Sequence, residues 1–135
     1  MLEHKISEGL SATFKKELSF SASPVAEELS YLLTTPQIVE VVIEASAKLL
    51  DPLVPSGYIT IGKYLEISHD QPTLVLEGGP VTVNLFVMKI ENNKIILDVK
   101  CYDDIGLIAK GKYERAIVDV EKLRAATYKR AESIL

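Results

Sequence analysis

The stretch TTPQIVEVVIEASAKLLDPLVPSGYITIGKYLEISH, residues 34–69, decides the fold of this chain. Its first half predicts a helix that ends at Leu50, with Thr35 as the N-cap, because a threonine hydroxyl can accept a hydrogen bond from an unpaired amide of the first turn. Pro36 fits the first helical position, where a missing N–H costs nothing. A turn containing proline and glycine follows, and the next segment, Tyr58 to His69, predicts a long strand.

Apolar residues fill most of the circumference of the predicted helix, and its one coherent polar stripe consists of Glu40, Glu44 and Lys48. Such a helix is buried over most of its surface, so we expect a sheet to wrap around it. Unless Gly62 marks a bulge, counting by twos places His69 on the apolar face of the following strand, with Ile59, Ile61, Leu65 and Ile67.

The rest of the chain predicts an antiparallel meander and a closing helix. The predicted strands are Leu10 to Phe20, Val81 to Ile90, Ile95 to Tyr102 and Leu107 to Val118; Val25 to Leu33 is expected to be a helical turn or loop, and Val120 to Leu135 a helix. This order describes an α+β hotdog fold, an antiparallel sheet around one long helix, as one domain over residues 1–135. Because such a sheet has free edges, we expect a homodimer.

Composition excludes several classes of function. The net charge of −4 leaves no basic surface for nucleic acid, and no apolar run or leader pattern indicates a membrane or secretion, so we expect a cytoplasmic protein. Cys101 is the only cysteine, which rules out an internal disulfide and a cysteine-based zinc site. Only His4 and His69 are histidines, and no carboxylate spacing completes a metal site. We therefore expect no metal and no separate cofactor.

Four short motifs, in their order and spacing, resemble the thioesterases similar to fluoroacetyl-CoA thioesterase. They are Thr35-Pro36 at the helix start, Gly62 seven residues before His69, Pro72 just beyond, and Gly-Lys-Tyr-Glu-Arg-Ala at 111–116. The resemblance spans roughly residues 10–124. It implies a dimeric hotdog enzyme that hydrolyses acyl-CoA through a threonine, a glutamate and a histidine. Thr35 and His69 match that threonine and histidine, and Gly62 matches the glycine near the thioester carbonyl.

The glutamate of that family does not carry over directly. It lies eight residues after the threonine, and this position is Ile43, with Glu44 one residue later. On a regular helix one residue rotates a side chain by about 100°. Two readings stay open: an extra loop residue or a helical bulge makes Glu44 catalytic, or Glu44 is a solvated carboxylate paired with Lys48. Glu40 is the next candidate.

The leading hypothesis is hydrolysis of a short or small acyl-CoA, with coenzyme A as part of the substrate. Glu44 would attack the carbonyl or activate water, His69 would transfer protons, and Thr35 would orient the reacting groups. The amide of Gly62 would approach the oxyanion, since no side chain blocks it. The expected substrate contacts are Tyr31 and Leu33 to the acyl group. Arg115 is expected to be a structural partner for a carboxylate, with a substrate contact to a CoA phosphate as the alternative.

Two other classes of function remain open. Ile43, at the position of the family's glutamate, supports a non-catalytic hotdog protein that binds acyl-CoA or a related ligand. A dimeric structural module, with His69 as a core residue, is the third possibility.

Overall fold

A computed structural model describes residues 3–18, 30–75 and 79–135. The strands are β1 (Ser11–Glu17), β2 (Tyr58–His69), β3 (Pro80–Glu91), β4 (Lys94–Tyr102) and β5 (Leu107–Asp119); the helices are α1 (Thr35–Leu50) and α2 (Val120–Ala131), with 3₁₀ turns at Asp51–Leu53 and Glu132–Ile134. The strands form one antiparallel sheet in the order β1-β3-β4-β5-β2. The predicted α+β hotdog architecture is therefore confirmed. The predicted strand end at Phe20, most of the predicted loop from Val25 and the turn at residues 77–78 lie outside the described residues.

The start of α1 differs by one residue from the prediction. Thr34, and not Thr35, is the N-cap: its hydroxyl accepts from the Gln37 amide at 3.3 Å, and its own amide donates to Gln37 Oε1 at 2.8 Å. This reciprocal pair is a capping box. Thr35 is consequently the first helical residue and Pro36 the second, so the hydroxyl of Thr35 is released from capping.

The core lies between α1 and the inner face of the sheet. β4 contributes alternate residues that are completely buried, and the predicted inward set of this strand is confirmed: Ile95, Leu97, Val99 and Cys101. Ile38, Val42 and Leu50 of α1 are equally inaccessible to solvent. One face of the sheet and one face of the helix thus bury each other. The expected burial over most of the helix circumference is not reached within one chain, because Ile43 of the apolar arc is 42% exposed.

β2 contains the bulge that the sequence left open. The register shifts between Gly62, opposite Arg115, and Tyr64, opposite Glu114, so that Lys63 is an extra residue in the strand. Thr60 and Gly62 face inward before the bulge; Leu65, Ile67 and His69 face inward after it. The expectation that Ile59 shares the inner face with His69 is therefore wrong, and the same holds for Ile61.

The C-terminal helix α2 begins where β5 ends, and Asp119 caps it by accepting from the amides of Glu121 and Lys122. The predicted helix to Leu135 is confirmed as α-helix up to Ala131, with a 3₁₀ turn beyond it. Among the described residues, no helix has the length and apolar character needed to cross a membrane.

Candidate functional site

The structure brings Thr35 and His69 together. Thr35 Oγ1 lies 2.8 Å from His69 Nδ1, which joins the first residue of α1 to the last residue of β2. Two local features produce this contact. The capping role of Thr34 leaves the Thr35 hydroxyl available, and the bulge in β2 turns His69 towards the helix. Thr35 is exposed and His69 is partly exposed, so the pair lies near the surface of the chain.

The second nitrogen of His69 is the unusual atom of this pair. Nε2 is buried and has no hydrogen-bond partner within the described part of the chain. Buried polar atoms are normally paired, and a specific exception calls for an explanation. Thr35 fixes the ring through Nδ1, and the neutral imidazole carries one proton that either nitrogen can hold. The arrangement is therefore an oriented histidine with one nitrogen available for proton transfer.

Glu44 does not join this pair within one chain. Its Oε1 lies 3.2 Å from Lys48 Nζ and 3.3 Å from Lys16 Nζ of β1, and the side chain is 38% exposed. The hydrogen bonds from Lys48 and then Lys16 lower the pKa of Glu44 below its ordinary value. Nine residues of helix place it about 13 Å along the axis from Thr35. The described contacts are those of a surface ion pair.

Gly62 and His69 lie at different ends of β2. Their partners on β5, Arg115 and Ala109, are six residues apart, so Gly62 and His69 are about 20 Å from each other and one chain cannot present both to one thioester. Gly62 lies instead beside the ring of Tyr113: a Cβ atom added to Gly62 would overlap the Tyr113 hydroxyl. Position 62 therefore requires glycine, because the Tyr113 hydroxyl leaves no room for a side chain.

Arg115 is 4% exposed, and its hydrogen-bond donors are directed at neighbours on the inner face of the sheet. Nε donates to Thr60 Oγ1 at 2.9 Å, Nη2 to the Thr60 carbonyl at 2.6 Å, and Nη1 to the Tyr113 hydroxyl at 2.9 Å. Thr60 Oγ1 in turn donates to Asp51 Oδ1 at 2.7 Å. A hydroxyl thus bridges the guanidinium and the carboxylate.

This cluster of Arg115, Thr60, Asp51 and Tyr113 is what the sequence analysis missed. Because Arg115 is buried, its guanidinium is not offered to a CoA phosphate from solvent, whereas its link through Thr60 to Asp51 agrees with the structural role expected for it. Tyr113 and Arg115 are two residues apart in β5, and that spacing was the available signal that both face the core. The role of Thr60 could not be read in this way, because it depends on the bulge.

Tyr31 and Leu33 lie on the segment that leads into α1. The Leu33 amide donates to the Thr73 carbonyl at 2.9 Å, and the Val75 amide donates to the Tyr31 carbonyl at 2.8 Å. Leu33 is buried in the core, whereas Tyr31 is about half exposed. Of these two predicted substrate contacts, only Tyr31 presents its side chain to solvent.

Other chemistries find little support in the described residues. They contain no group of three or more histidine, cysteine, aspartate or glutamate side chains that could hold a metal ion. Burial raises the pKa of the Cys101 thiol to about 11, so it is not a nucleophile at neutral pH.

Solved structures with this fold extend over nearly the whole chain. A hot-dog-like protein from Thermanaerovibrio acidaminovorans is 25% identical, with a TM-score of 0.83 and 91% of each chain covered. A thioesterase superfamily member from Thermus thermophilus is 28% identical, with a TM-score of 0.82 and 95% of each chain covered. Fluoroacetyl-CoA thioesterase itself is 20% identical, with a TM-score of 0.80, and the match covers 92% of this chain and 96% of that one.

The search of curated protein sequences finds no significant match. A family model described as fluoroacetyl-CoA-specific thioesterase matches residues 16–121. That span includes α1, all of β2 to β5 and the Thr35–His69 pair. The chain therefore belongs to the fluoroacetyl-CoA-specific thioesterase family.

Proposed function

We propose that this protein hydrolyses acyl-CoA thioesters that carry a short or small acyl group, releasing the free acid and coenzyme A. The observation that carries the proposal is the 2.8 Å contact between Thr35 and His69, together with an Nε2 atom that has no partner among the described residues. Family membership supports the substrate class. Fluoroacetyl-CoA thioesterase has been solved with acetyl-CoA in one variant, and with fluoroacetate and CoA in another.

His69 is the proton-transfer group of the proposed reaction. With Nδ1–H donating to Thr35 Oγ1, Nε2 is an acceptor and can take a proton from water as the water oxygen bonds to the thioester carbon. The tetrahedral intermediate then collapses, the carbon–sulfur bond breaks, and the same proton passes from Nε2 to the CoA thiolate. Thr35 holds the ring for both steps, as the third member of a catalytic triad orients its base.

We also propose that the protein is a homodimer joined along the outer edge of β2. This strand has no neighbour on that side among the described residues, and unpaired edges readily accept another chain. A partly exposed apolar stripe on α1 supports a partner subunit on the same side of the chain. Val39, Ile43 and Ala47 follow Thr35 at four-residue intervals, and Ile43 is 42% exposed. A partner would cover this stripe.

The two-fold pairing would complete the site. In one chain α1 and β2 run in opposite directions, because Thr35 contacts His69 while Asp51 contacts Thr60. Antiparallel pairing of two β2 strands centred on Glu66, with Lys63 as the extra residue in each strand, sets residue 62 of one chain opposite residue 69 of the other. Gly62 of the partner subunit would then lie at the thioester held by His69, as the resemblance implies.

Glu44 takes no step in this mechanism, because Lys16 and Lys48 would first have to release its carboxylate. Glu44 could act only across the dimer, as a carboxylate that one subunit supplies to the site of the other. In the proposed dimer the second half of α1 of one subunit would approach His69 of the other. The ion pair with Lys48 is the reading that the contacts favour.

A non-catalytic acyl-CoA-binding protein is the second candidate function. Ile43 favours it, because an apolar residue stands where the family's carboxylate is expected. A thiol-reactive dye and a series of acetyl-, propionyl- and longer acyl-CoAs separate the two: an enzyme releases thiol, and a binder does not. If no thiol is released but CoA raises Tm, binding without catalysis is established and the hydrolase proposal fails.

A further inference from the structure

A phenol hydroxyl on the inner face of the sheet has no part in the mechanism above. Tyr113 is 4% exposed, and its oxygen accepts a hydrogen bond from Arg115 Nη1 at 2.9 Å. The hydroxyl lies against the backbone of Gly62, where any side chain would overlap it. Gly62 belongs to the edge strand and is itself exposed. The hydroxyl is therefore close to the edge at which the partner subunit would pair.

The guanidinium that holds this hydroxyl is fixed on three sides. Thr60 takes two of its hydrogen bonds, through Oγ1 and the carbonyl, and Tyr113 takes the third. Asp51 balances the charge through the Thr60 hydroxyl. A group held in this way stays in place as charge develops nearby, which is the property of a preorganised site.

The hydroxyl proton of Tyr113 is available. Within the described residues the Tyr113 oxygen takes part in one hydrogen bond, and there it accepts. Accepting from a cation draws electron density from the phenol and makes it a stronger donor. A donor of this kind suits the oxyanion of a tetrahedral intermediate.

We propose that Tyr113 is a catalytic residue that donates its hydroxyl hydrogen to the thioester oxygen in the partner subunit's site. The inference rests on the proposed thioesterase function and on the β2-edge dimer. The His69 of the same chain is out of reach of Tyr113, because Gly62, which touches Tyr113, lies about 20 Å along β2 from that histidine. Across the two-fold axis the same Gly62 faces the other subunit's imidazole. Glycine at position 62 then serves to admit the phenol as well as the substrate.

Tyr113→Phe is the direct test, because it removes one oxygen atom and keeps the ring. We expect kcat for acyl-CoA to fall about a hundredfold with KM little changed, the pattern of a contact made in the transition state. A purely structural tyrosine would lower Tm and leave the kcat of folded protein unchanged. That result, measured well below Tm, would overturn the proposal.

Tyr128→Phe is the matched control. Tyr128 is an exposed tyrosine of α2, so the same atom is removed at a position outside both the cluster and the β2 edge. We expect wild-type kcat and KM from this variant. Equal losses in both variants would also overturn the assignment, because the effect would not be specific to the hydroxyl beside Gly62.

Subunit mixing tests the placement in the partner. A heterodimer of His69→Ala and Tyr113→Phe chains contains one site with both groups intact if they act across the interface. An equimolar mixture, unfolded and refolded together, should then recover about a quarter of the wild-type rate. If both groups act within one chain, mixing recovers nothing and the proposal is wrong.

The outcomes also separate this inference from the proposed function. A wild-type protein that hydrolyses no acyl-CoA refutes both. An active wild type, inactive His69→Ala and fully active Tyr113→Phe refute only the role of Tyr113.

Discussion

Replacing Thr60 by valine tests the hydroxyl that links Arg115 to Asp51. Valine keeps the volume and the β-branch, and it leaves the Thr60 amide bonded to Asp51 Oδ1 and the Thr60 carbonyl bonded to Arg115 Nη2. Two hydrogen bonds are lost, at 2.9 Å to Arg115 Nε and 2.7 Å to Asp51 Oδ1. The Nε donor of a buried cation remains without a partner.

The expected loss in the free energy of unfolding follows from those two changes. An unsatisfied buried donor costs about 1–3 kcal/mol, and the bond to the carboxylate contributes about 1 kcal/mol, so the sum is about 2–4 kcal/mol. For a chain of this length that corresponds to a fall in Tm of roughly 10 °C. Urea unfolding followed by far-UV circular dichroism measures it, with all variants at one protein concentration because the proposed dimer would make stability concentration-dependent.

Two further variants isolate the hydroxyl. Thr60→Ser restores the bridging oxygen and should recover most of the loss. Thr13→Val makes the same substitution at an exposed site, where Thr13 Oγ1 donates to Asn84 Oδ1 at 2.8 Å, and should change stability by less than about 0.5 kcal/mol. If Thr60→Val is as stable as Thr13→Val, Arg115 does not depend on the bridge and the reasoning fails.

Three other predictions follow from the described contacts. His69→Ala should lower kcat by at least about a hundredfold. Thr35→Ser should retain more activity than Thr35→Val, since serine keeps a hydroxyl beside His69 Nδ1. Thiol release under saturating acyl-CoA measures all three variants, and a wild-type rate in His69→Ala refutes the mechanism. Glu44→Gln should keep kcat within about twofold and lose under about 1 kcal/mol of stability, because the ion pairs of Glu44 are exposed. Since these pairs lower the pKa of Glu44, their small contribution to stability is present above pH 4.5 and is lost as the pH falls. A large loss of kcat would instead make Glu44 catalytic. Gly111→Ala should lower the free energy of unfolding in urea by about 3 kcal/mol, since the added Cβ would overlap a backbone carbonyl of β2. Gly106→Ala is the control, because a Cβ there meets no atom within 4 Å. Equal stability of the two variants contradicts the close approach of the strands at Gly111.

The elements of the fold could be predicted because each has a strong local signal. The apolar pattern of α1 and the alternation along β4 depend only on the periods of helix and strand. The alternation is confirmed, and the apolar pattern is confirmed for the helix face that meets the sheet. The N-cap could not be fixed in the same way. Thr34 and Thr35 are adjacent residues of one type, and the choice depends on Gln37 reaching back to close the capping box.

The site was harder to predict because it depends on tertiary geometry. Thr35 and His69 are 34 residues apart, yet a Thr–Pro helix start and a strand-end histidine were enough to pair them as candidates. A structural role for Arg115 could be expected, but the link to its carboxylate could not be named, because Thr60 lies on β2 and Asp51 beyond the end of α1. No spacing in the sequence indicates that a threonine hydroxyl bridges it to Asp51.

The bulge at Lys63 is what allows β2 to serve both clusters. Thr60 and His69 are nine residues apart, an odd number, so a regular strand would direct one of them inward and the other outward. The extra residue resets the alternation, and both side chains face α1. Thr60 can therefore hold Arg115 and Tyr113 near one end of the strand while His69 meets Thr35 at the other. Because the two clusters then occupy the same face at opposite ends of an edge strand, an antiparallel partner would unite them in each of two equivalent sites.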